Sequence, residues 1–293
     1  MSLFDDLGDI CRCGVPLAPL TWFRLGGPAE YLIEPETEEQ LATVVRRCRD
    51  TDTPIRFLGL GANVLIQDVG VSGVVIRLVR TAFATTAFER EGVTAGAGVN
   101  LTRLVMACVR RGLTGLEQVA GIPASVGGAI RMNCGGRFGE IETAVRSVRV
   151  MGSDGRIGER RREELAFGYR SCDLGQDLVV AVEFALRETD PAVLRKRYDE
   201  IWNYKQSTQP PLGAPSAGCI FRNPSGRSAG ELLDHAGLKG LRHGSAMVSE
   251  RHANFIVADP GGCAADVIEL IGLMQRGVAE TQGVNLVPEV QIW

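Results

Sequence analysis

Apolar and polar positions along this chain repeat with two periods, and the period separates helix from strand. Residues 40–50, QLATVVRRCRD, carry apolar positions at helical spacing and follow a strand-like AEYLIEP. IRFLGLGANVLI then reads as strand, glycine turn, strand, so the first segment mixes helix and strand. GVVIRL and GVTAGAGV continue as strands. LTRLVMACVRRG is an amphipathic helix with Leu101, Leu104, Val105 and Cys108 on one face and Gly112 at its C-terminal cap. AVRSVRVMGSDGRI and LVVAVEFAL alternate with period two, which predicts antiparallel strands, the first closed by a Ser-Asp-Gly turn.

Pro191 suits the first turn of a helix running to about Tyr204, and Gln209-Pro210-Pro211 stops it. Beyond it the pattern predicts a strand entered at Cys219-Ile220-Phe221 and a helix from an N-cap at Ser228 to Gly240. A strand NFIVA, a long helix AADVIELIGLMQRGVAE and a last strand EVQIW complete the chain. The breaks divide it into segments 1–80, 81–189 and 190–293, in an α+β class.

At 293 residues the chain can bury two or three proper cores. The net charge of −3 is nearly neutral, and Arg160-Arg161-Arg162 is offset by Glu159, Glu163 and Glu164, a solvated charged face that gives nucleic-acid binding no support. The N-terminus has neither a basic flank nor an apolar core of the export type, and no window is apolar for long enough to cross a bilayer, so a cytoplasmic protein without membrane partners is expected. The eight cysteines are scattered, which reads as thiols in a reducing compartment. Cys11-Arg12-Cys13 has no second pair or nearby histidine to complete a tetrahedron, so no metal is expected.

Two glycine runs are candidate ligand loops: GLGAN, with Gly59, Gly61, Ala62 and Asn63, and GIPASVGG, with Gly121, Ile122, Pro123, Ser125, Val126, Gly127 and Gly128. Both expose backbone N–H groups without side-chain bulk, which lets a chain approach a diphosphate closely. Neither GLGANV nor GAGVNL supplies the third glycine of the Rossmann fingerprint, and no Walker lysine motif occurs. On its own, Cys219 in PSAGCIFRNPSG reads first as a small buried hydrophobe.

Taken in order, TWFRLGGPAEY, LGLGANVLI, LTGLEQVAGIPASVGGAIRMNCGG, GYRSC, SAGCIFRNP and VPEVQIW closely resemble the UDP-N-acetylenolpyruvoylglucosamine reductase family, over nearly the whole chain after Pro16. The resemblance implies a two-subdomain FAD-binding fold of the vanillyl-alcohol-oxidase-like type, in segments 1–80 and 81–189, followed by a C-terminal α/β substrate-binding domain. It implies a monomer holding FAD without a covalent link, reduced by NADPH, that passes hydride to the enolpyruvyl ether of UDP-N-acetylglucosamine-enolpyruvate in cell-wall synthesis. The short spacing between GYRSC and SAGC resembles the family type without a tyrosine-bearing flap.

Hydride arriving at C3 of such an ether leaves negative charge on C2 and its carboxylate, which calls for donors at the oxygens and an acid at C2. By motif match these are Arg170, Glu289 and Cys219. Glu289 helps only when protonated, which requires a buried setting. The family usually has serine where this chain has Cys219. A thiol with an ordinary pKa of about 8.5 is mostly protonated at neutral pH and yields its proton more readily than an alcohol. Arg24 and the two glycine runs match flavin contacts; Lys205 and Asn223 match positions near the substrate diphosphate. Without the resemblance, Arg170 reads as a surface arginine beside Asp173 and Glu289 as an exposed C-terminal glutamate. Other readings left open are a different flavoenzyme of the same fold and a non-catalytic nucleotide-sugar or flavin-binding protein. A histidyl flavin link is disfavoured because His235, His243 and His252 all lie in the last segment.

Overall fold

The structure is a computed structural model that describes residues 3–293. The chain forms two compact units. The first takes residues up to Cys13, Tyr31–Leu60 and Gly73–Lys205, and the second Gly14–Glu30, Gly61–Ser72 and Gln206–Trp293.

In the first unit, helix α1 (Glu38–Asp50) starts two residues before the predicted run because Thr37 and Gln40 form a reciprocal capping box. It buries Leu41, Val44, Val45 and Cys48. Helix α2 (Leu101–Arg110) is capped by Asn100, whose Oδ1 accepts from Arg103 N–H at 3.0 Å. It buries the predicted face, and Gly112 takes the left-handed conformation just beyond its end, φ 67°.

Both helices pack on strands. One sheet has the order Cys11–Pro16, Pro28–Ile33, Val71–Ile76, Ile55–Phe57, with the last two parallel. The other is a five-stranded antiparallel sheet in the order Ile157–Arg161, Val145–Met151, Leu178–Ala185, Gly92–Gly96, Thr86–Glu89. Its central strand is buried along nearly its whole length, as a run of Leu, Val and Ala demands. Short helix α3 (Val126–Arg131) lies against this sheet, and α4 (Pro191–Thr208) runs four residues past Tyr204. Leu194, Tyr198 and Ile201 of α4 join the core of the first unit.

The second unit centres on α6 (Ala264–Gln282), whose first two N–H groups, on Ala264 and Ala265, donate to the two carboxylate oxygens of Asp68 at 2.9 and 3.0 Å. It packs with α5 (Ala229–His235) and a small antiparallel sheet of Arg242–His243, Ala246–Val248 and Ile256–Ala258. Three expectations change here. The helix expected to reach Gly240 ends at His235, because Gly237 already turns left-handed at φ 68°. The last strand is only Gln291–Ile292, paired parallel with Val64–Leu65. Cys219-Ile220-Phe221 is extended but joins no ladder beyond isolated bridges to Phe255 and Pro288. Among the described residues no disulfide joins any two cysteines, no cluster could hold a metal ion, and no helix is long and apolar enough to cross a membrane.

Candidate active site

In the first unit Gly59 approaches the second glycine run at the Ser125 side chain. A Cβ on Gly59 would overlap Ser125 Oγ, and one on Gly127 would come within 2.9 Å of Ala97 Cβ. Ser125 is the N-cap of α3, its Oγ accepting from Gly128 N–H at 3.3 Å. The N–H groups of Ile122, Val126 and Gly127 are used by Val119, Val99 and Ala97 carbonyls. Those three N–H groups are already bonded within the protein, so fewer donors remain in GIPASVGG than the run itself suggests. Pro123 has no N–H to offer.

Lys205, at the end of the first unit, donates from Nζ to Ala120 O at 2.5 Å, and its stem lies 3.2 Å from where a Gly121 Cβ would sit. The lysine thus braces the start of the same loop. Cys134 is buried, which pushes its thiol up to about 12, against the opposing pull of Lys205 and Arg170. Both cations therefore lie close enough to act on the Cys134 thiol.

Arg170 sits in a two-residue turn. Phe167–Gly168 pairs with Ser171–Cys172, leaving Tyr169-Arg170 as the turn, and Arg170 adopts φ 55°. A positive φ at this position is where glycine or asparagine is ordinarily found, so arginine here carries strain of about 1–2 kcal/mol. Its side chain is only 16% exposed and lies 3.9 Å from Glu140 Oε1, so it is not the open surface arginine that its sequence neighbourhood alone suggests. The guanidinium also stands 5.1 Å from the centre of the Tyr169 ring.

In the second unit, Gly218 turns left-handed (φ 75°) and delivers Cys219 into an extended segment held from both sides. On one side Asn254 replaces a strand partner: its Oδ1 accepts from Phe221 N–H at 2.9 Å and its Nδ2 donates to Phe221 O at 2.8 Å. Ile220 N–H donates to Asn254 O at 2.8 Å. On the other side Glu289 N–H donates to Ile220 O at 2.7 Å and Arg222 N–H to Val287 O at 2.9 Å. Cys219, half-buried, and Glu289, 8% exposed, therefore occupy neighbouring segments of one rigid frame.

Asn63 closes that frame, its Nδ2 donating to Glu289 O at 3.2 Å and its carbonyl accepting from Gln291 N–H at 3.0 Å. Gly61 is packed so tightly that a Cβ would meet Leu20 O at 2.5 Å, and its own carbonyl accepts from Trp22 N–H at 3.0 Å. This joins GLGAN to the RLGG stretch, where exposed Arg24 takes φ 56° and reaches Gly213 O at 3.5 Å. Asn223 is exposed and its Oδ1 accepts from Ala229 N–H at 2.9 Å. Asn254, Asn133 and Glu140 were not singled out from the sequence. Asn254 and Asn133 are polar side chains whose roles appear only when distant backbone is brought to them.

At Gly59 and Gly127 in the first unit, and at Gly61 in the second, a Cβ would strike neighbouring protein atoms, so each of these close approaches requires glycine. A family model described as FAD binding domain matches residues 29–159, and one described as UDP-N-acetylenolpyruvoylglucosamine reductase, C-terminal domain, matches 209–293. The reductase of that name from Heliobacterium modesticaldum is 43% identical over 280 residues, 94% of this chain and 88% of the relative; the one from Myxococcus xanthus is 39% identical over 96% and 91%. The crystal structure of the Thermus caldophilus reductase superposes with a TM-score of 0.83 at 41% identity, covering 95% of this chain and 97% of that one. The class, an FAD-binding oxidoreductase, is shown by the similarities of sequence and fold. The chain belongs to the UDP-N-acetylenolpyruvoylglucosamine reductase family.

Proposed function

We propose that this protein reduces the enolpyruvyl group of UDP-N-acetylglucosamine-enolpyruvate to UDP-N-acetylmuramate, with Arg170, Cys219 and Glu289 as its catalytic groups. When bound, FAD reduced by NADPH would supply the hydride equivalent for the enolpyruvyl double bond. The rest of the chemistry belongs to this chain's side chains. Arg170, a permanent planar cation, takes the substrate carboxylate as it gains charge. Glu289 is buried, the setting in which a carboxyl can remain a hydrogen-bond donor beside that carboxylate. Cys219 gives its thiol proton to C2, which completes the addition of H⁻ and H⁺ across the double bond, and the thiolate recovers a proton from water.

The observation that carries this reading is the shared frame of Cys219 and Glu289, joined through the Glu289 N–H to Ile220 O bond. Lys205 and the amide of Asn223 serve the substrate diphosphate. Gly59, Gly61, Ala62, Asn63, Arg24 and the remaining donors of 121–128 serve FAD. Segments 1–80 and 81–189 are assigned to the flavin and 190–293 to the substrate. The proposal includes a monomer acting in the cytoplasm on small molecules, without nucleic-acid or membrane partners.

The test is an anaerobic half-reaction. Bound flavin is reduced with NADPH, NADP⁺ is removed, and the enolpyruvyl substrate is added to wild type, Cys219→Ala and Cys219→Ser. Wild type and the serine variant should reoxidise, and the alanine variant should slow at least about 100-fold, the scale of a lost general acid. Equal rates in wild type and Cys219→Ala would remove the thiol from the mechanism.

A further inference from the structure

A left-handed arginine in a tight turn is unstable unless something holds the turn, and the structure shows what does. Asn133 is fully buried and itself takes φ 37°. Its single Nδ2 group makes two bonds, donating to Glu140 Oε2 at 2.9 Å and to Gly168 O at 3.1 Å. Gly168 is the residue that enters the Tyr169-Arg170 turn. One buried amide therefore ties the turn and a carboxylate together. Asn133 Oδ1 accepts from Glu142 N–H at 3.4 Å, which fixes the orientation of the amide.

Glu140 is anchored on its own account. It pairs with Gly135 in a short antiparallel hairpin, and its backbone carbonyl accepts from Gln118 Nε2 at 3.3 Å and from Thr143 Oγ1 at 3.0 Å. With Oε2 occupied by Asn133, Oε1 is the oxygen turned to Arg170, 3.9 Å from Nη1. That distance is beyond hydrogen-bond range, so the pair acts through charge attraction, which orients the guanidinium without taking up an N–H. Both side chains are shielded, at 16% and 31% exposure, so solvent screens the attraction less than at an open surface.

We propose that Glu140, held by Asn133, is a positioning residue that aims the Arg170 guanidinium at the substrate carboxylate. The inference rests on the catalytic reading of Arg170 given above. Glu140 does not touch the reacting atoms; it bears on the reaction through Arg170. Its effect belongs to the substrate-reducing half of the cycle, where the carboxylate gains charge, and not to flavin reduction by NADPH.

The test uses the full-length holoenzyme and four forms: wild type, Glu140→Gln, Arg170→Ala and the double variant. The glutamine keeps an oxygen for Asn133 Nδ2 and removes only the charge. Glu140→Gln should retain flavin and be reduced by NADPH within about twofold of wild type, while reoxidation by UDP-N-acetylglucosamine-enolpyruvate slows about 10-fold, an effect that Glu140→Asp should partly reverse. In the Arg170→Ala background the same change should cost nothing more, because the residue it serves is gone. A full additional 10-fold loss in that background, equal slowing of both half-reactions, or no effect of Glu140→Gln on reoxidation would each overturn the proposal. If Arg170→Ala itself reoxidises at the wild-type rate, the catalytic reading of Arg170 falls first and this inference falls with it.

Discussion

Replacing Asn254 by alanine should damage the protein at a point sequence patterning does not mark. The side chain is 2% exposed and satisfies both the N–H and the C=O of Phe221, at 2.9 and 2.8 Å. Alanine leaves those two buried backbone groups without these partners, at about 1–3 kcal/mol each, so about 2–6 kcal/mol together. At roughly 3 °C per kcal/mol for a chain of this size, the thermal midpoint of the second unit should fall by about 6–18 °C. Scanning calorimetry on the holoenzyme reads this directly.

The same substitution loosens the segment that carries Cys219, and an ångström of misplacement at a reacting group costs on the order of 100-fold in rate. Asn254→Ala should therefore slow flavin reoxidation by the enolpyruvyl substrate at temperatures where it remains folded. A midpoint lowered by less than about 3 °C, with reoxidation at the wild-type rate, would show that water replaces the amide at Phe221 and would refute the reasoning.

Three further outcomes follow from single observations. Gly59→Ala should cut FAD retention at least about 10-fold, read by flavin absorbance after gel filtration, because the new methyl overlaps Ser125 Oγ; unchanged retention would mean the two glycine runs are not one cofactor surface. Asp68→Ala should destabilise the second unit by about 1–2 kcal/mol, since it removes the cap from Ala264 and Ala265 N–H; a loss under about 0.3 kcal/mol in denaturant titration would contradict this. Burial pushes Cys108 and Cys134 up to about 12 and Cys48 and Cys172 up to about 11. These thiols are neutral in the fold, so their stabilising contribution is complete below the unfolded thiol pKa of about 8.5 and is lost as pH rises from there through 11 to 12. Unfolding midpoints should fall across that window, and alkylation at pH 8 should modify exposed Cys13 while sparing these four until the protein is denatured.

Much of the fold was legible in the sequence because its signals are local. The helical spacing of 40–50 and 101–110, the alternation through 145–151 and the Pro191 start all act within one element. What escaped depends on distant partners. The end of α5 was misplaced because two glycines, 237 and 240, both turn left-handed, and sequence alone gives no reason to stop at the first. Cys219-Ile220-Phe221 looks like a strand because it is apolar, but one of its partners is a side chain, that of Asn254.

The candidate site divides in the same way. Arg170, Cys219 and Glu289 were visible as motif residues, whereas the turn that strains Arg170 and the buried amide that holds it were not. Asn133 and Gly168 are 35 residues apart and meet only in the folded unit. The glycine runs were legible as ligand loops, but how many of their N–H groups are already used could be read only from the bonds of Ile122, Val126, Gly127 and Gly128.

The central claim is that this chain delivers reducing equivalents from bound FAD to an enolpyruvyl ether. Its most direct test is a stopped-flow titration of the wild-type holoenzyme, reduced anaerobically with dithionite so that no NADP⁺ is present, against UDP-N-acetylglucosamine-enolpyruvate. The account predicts that one equivalent of substrate restores the oxidised flavin spectrum and yields one equivalent of UDP-N-acetylmuramate. Flavin that stays reduced in the presence of excess substrate would contradict it.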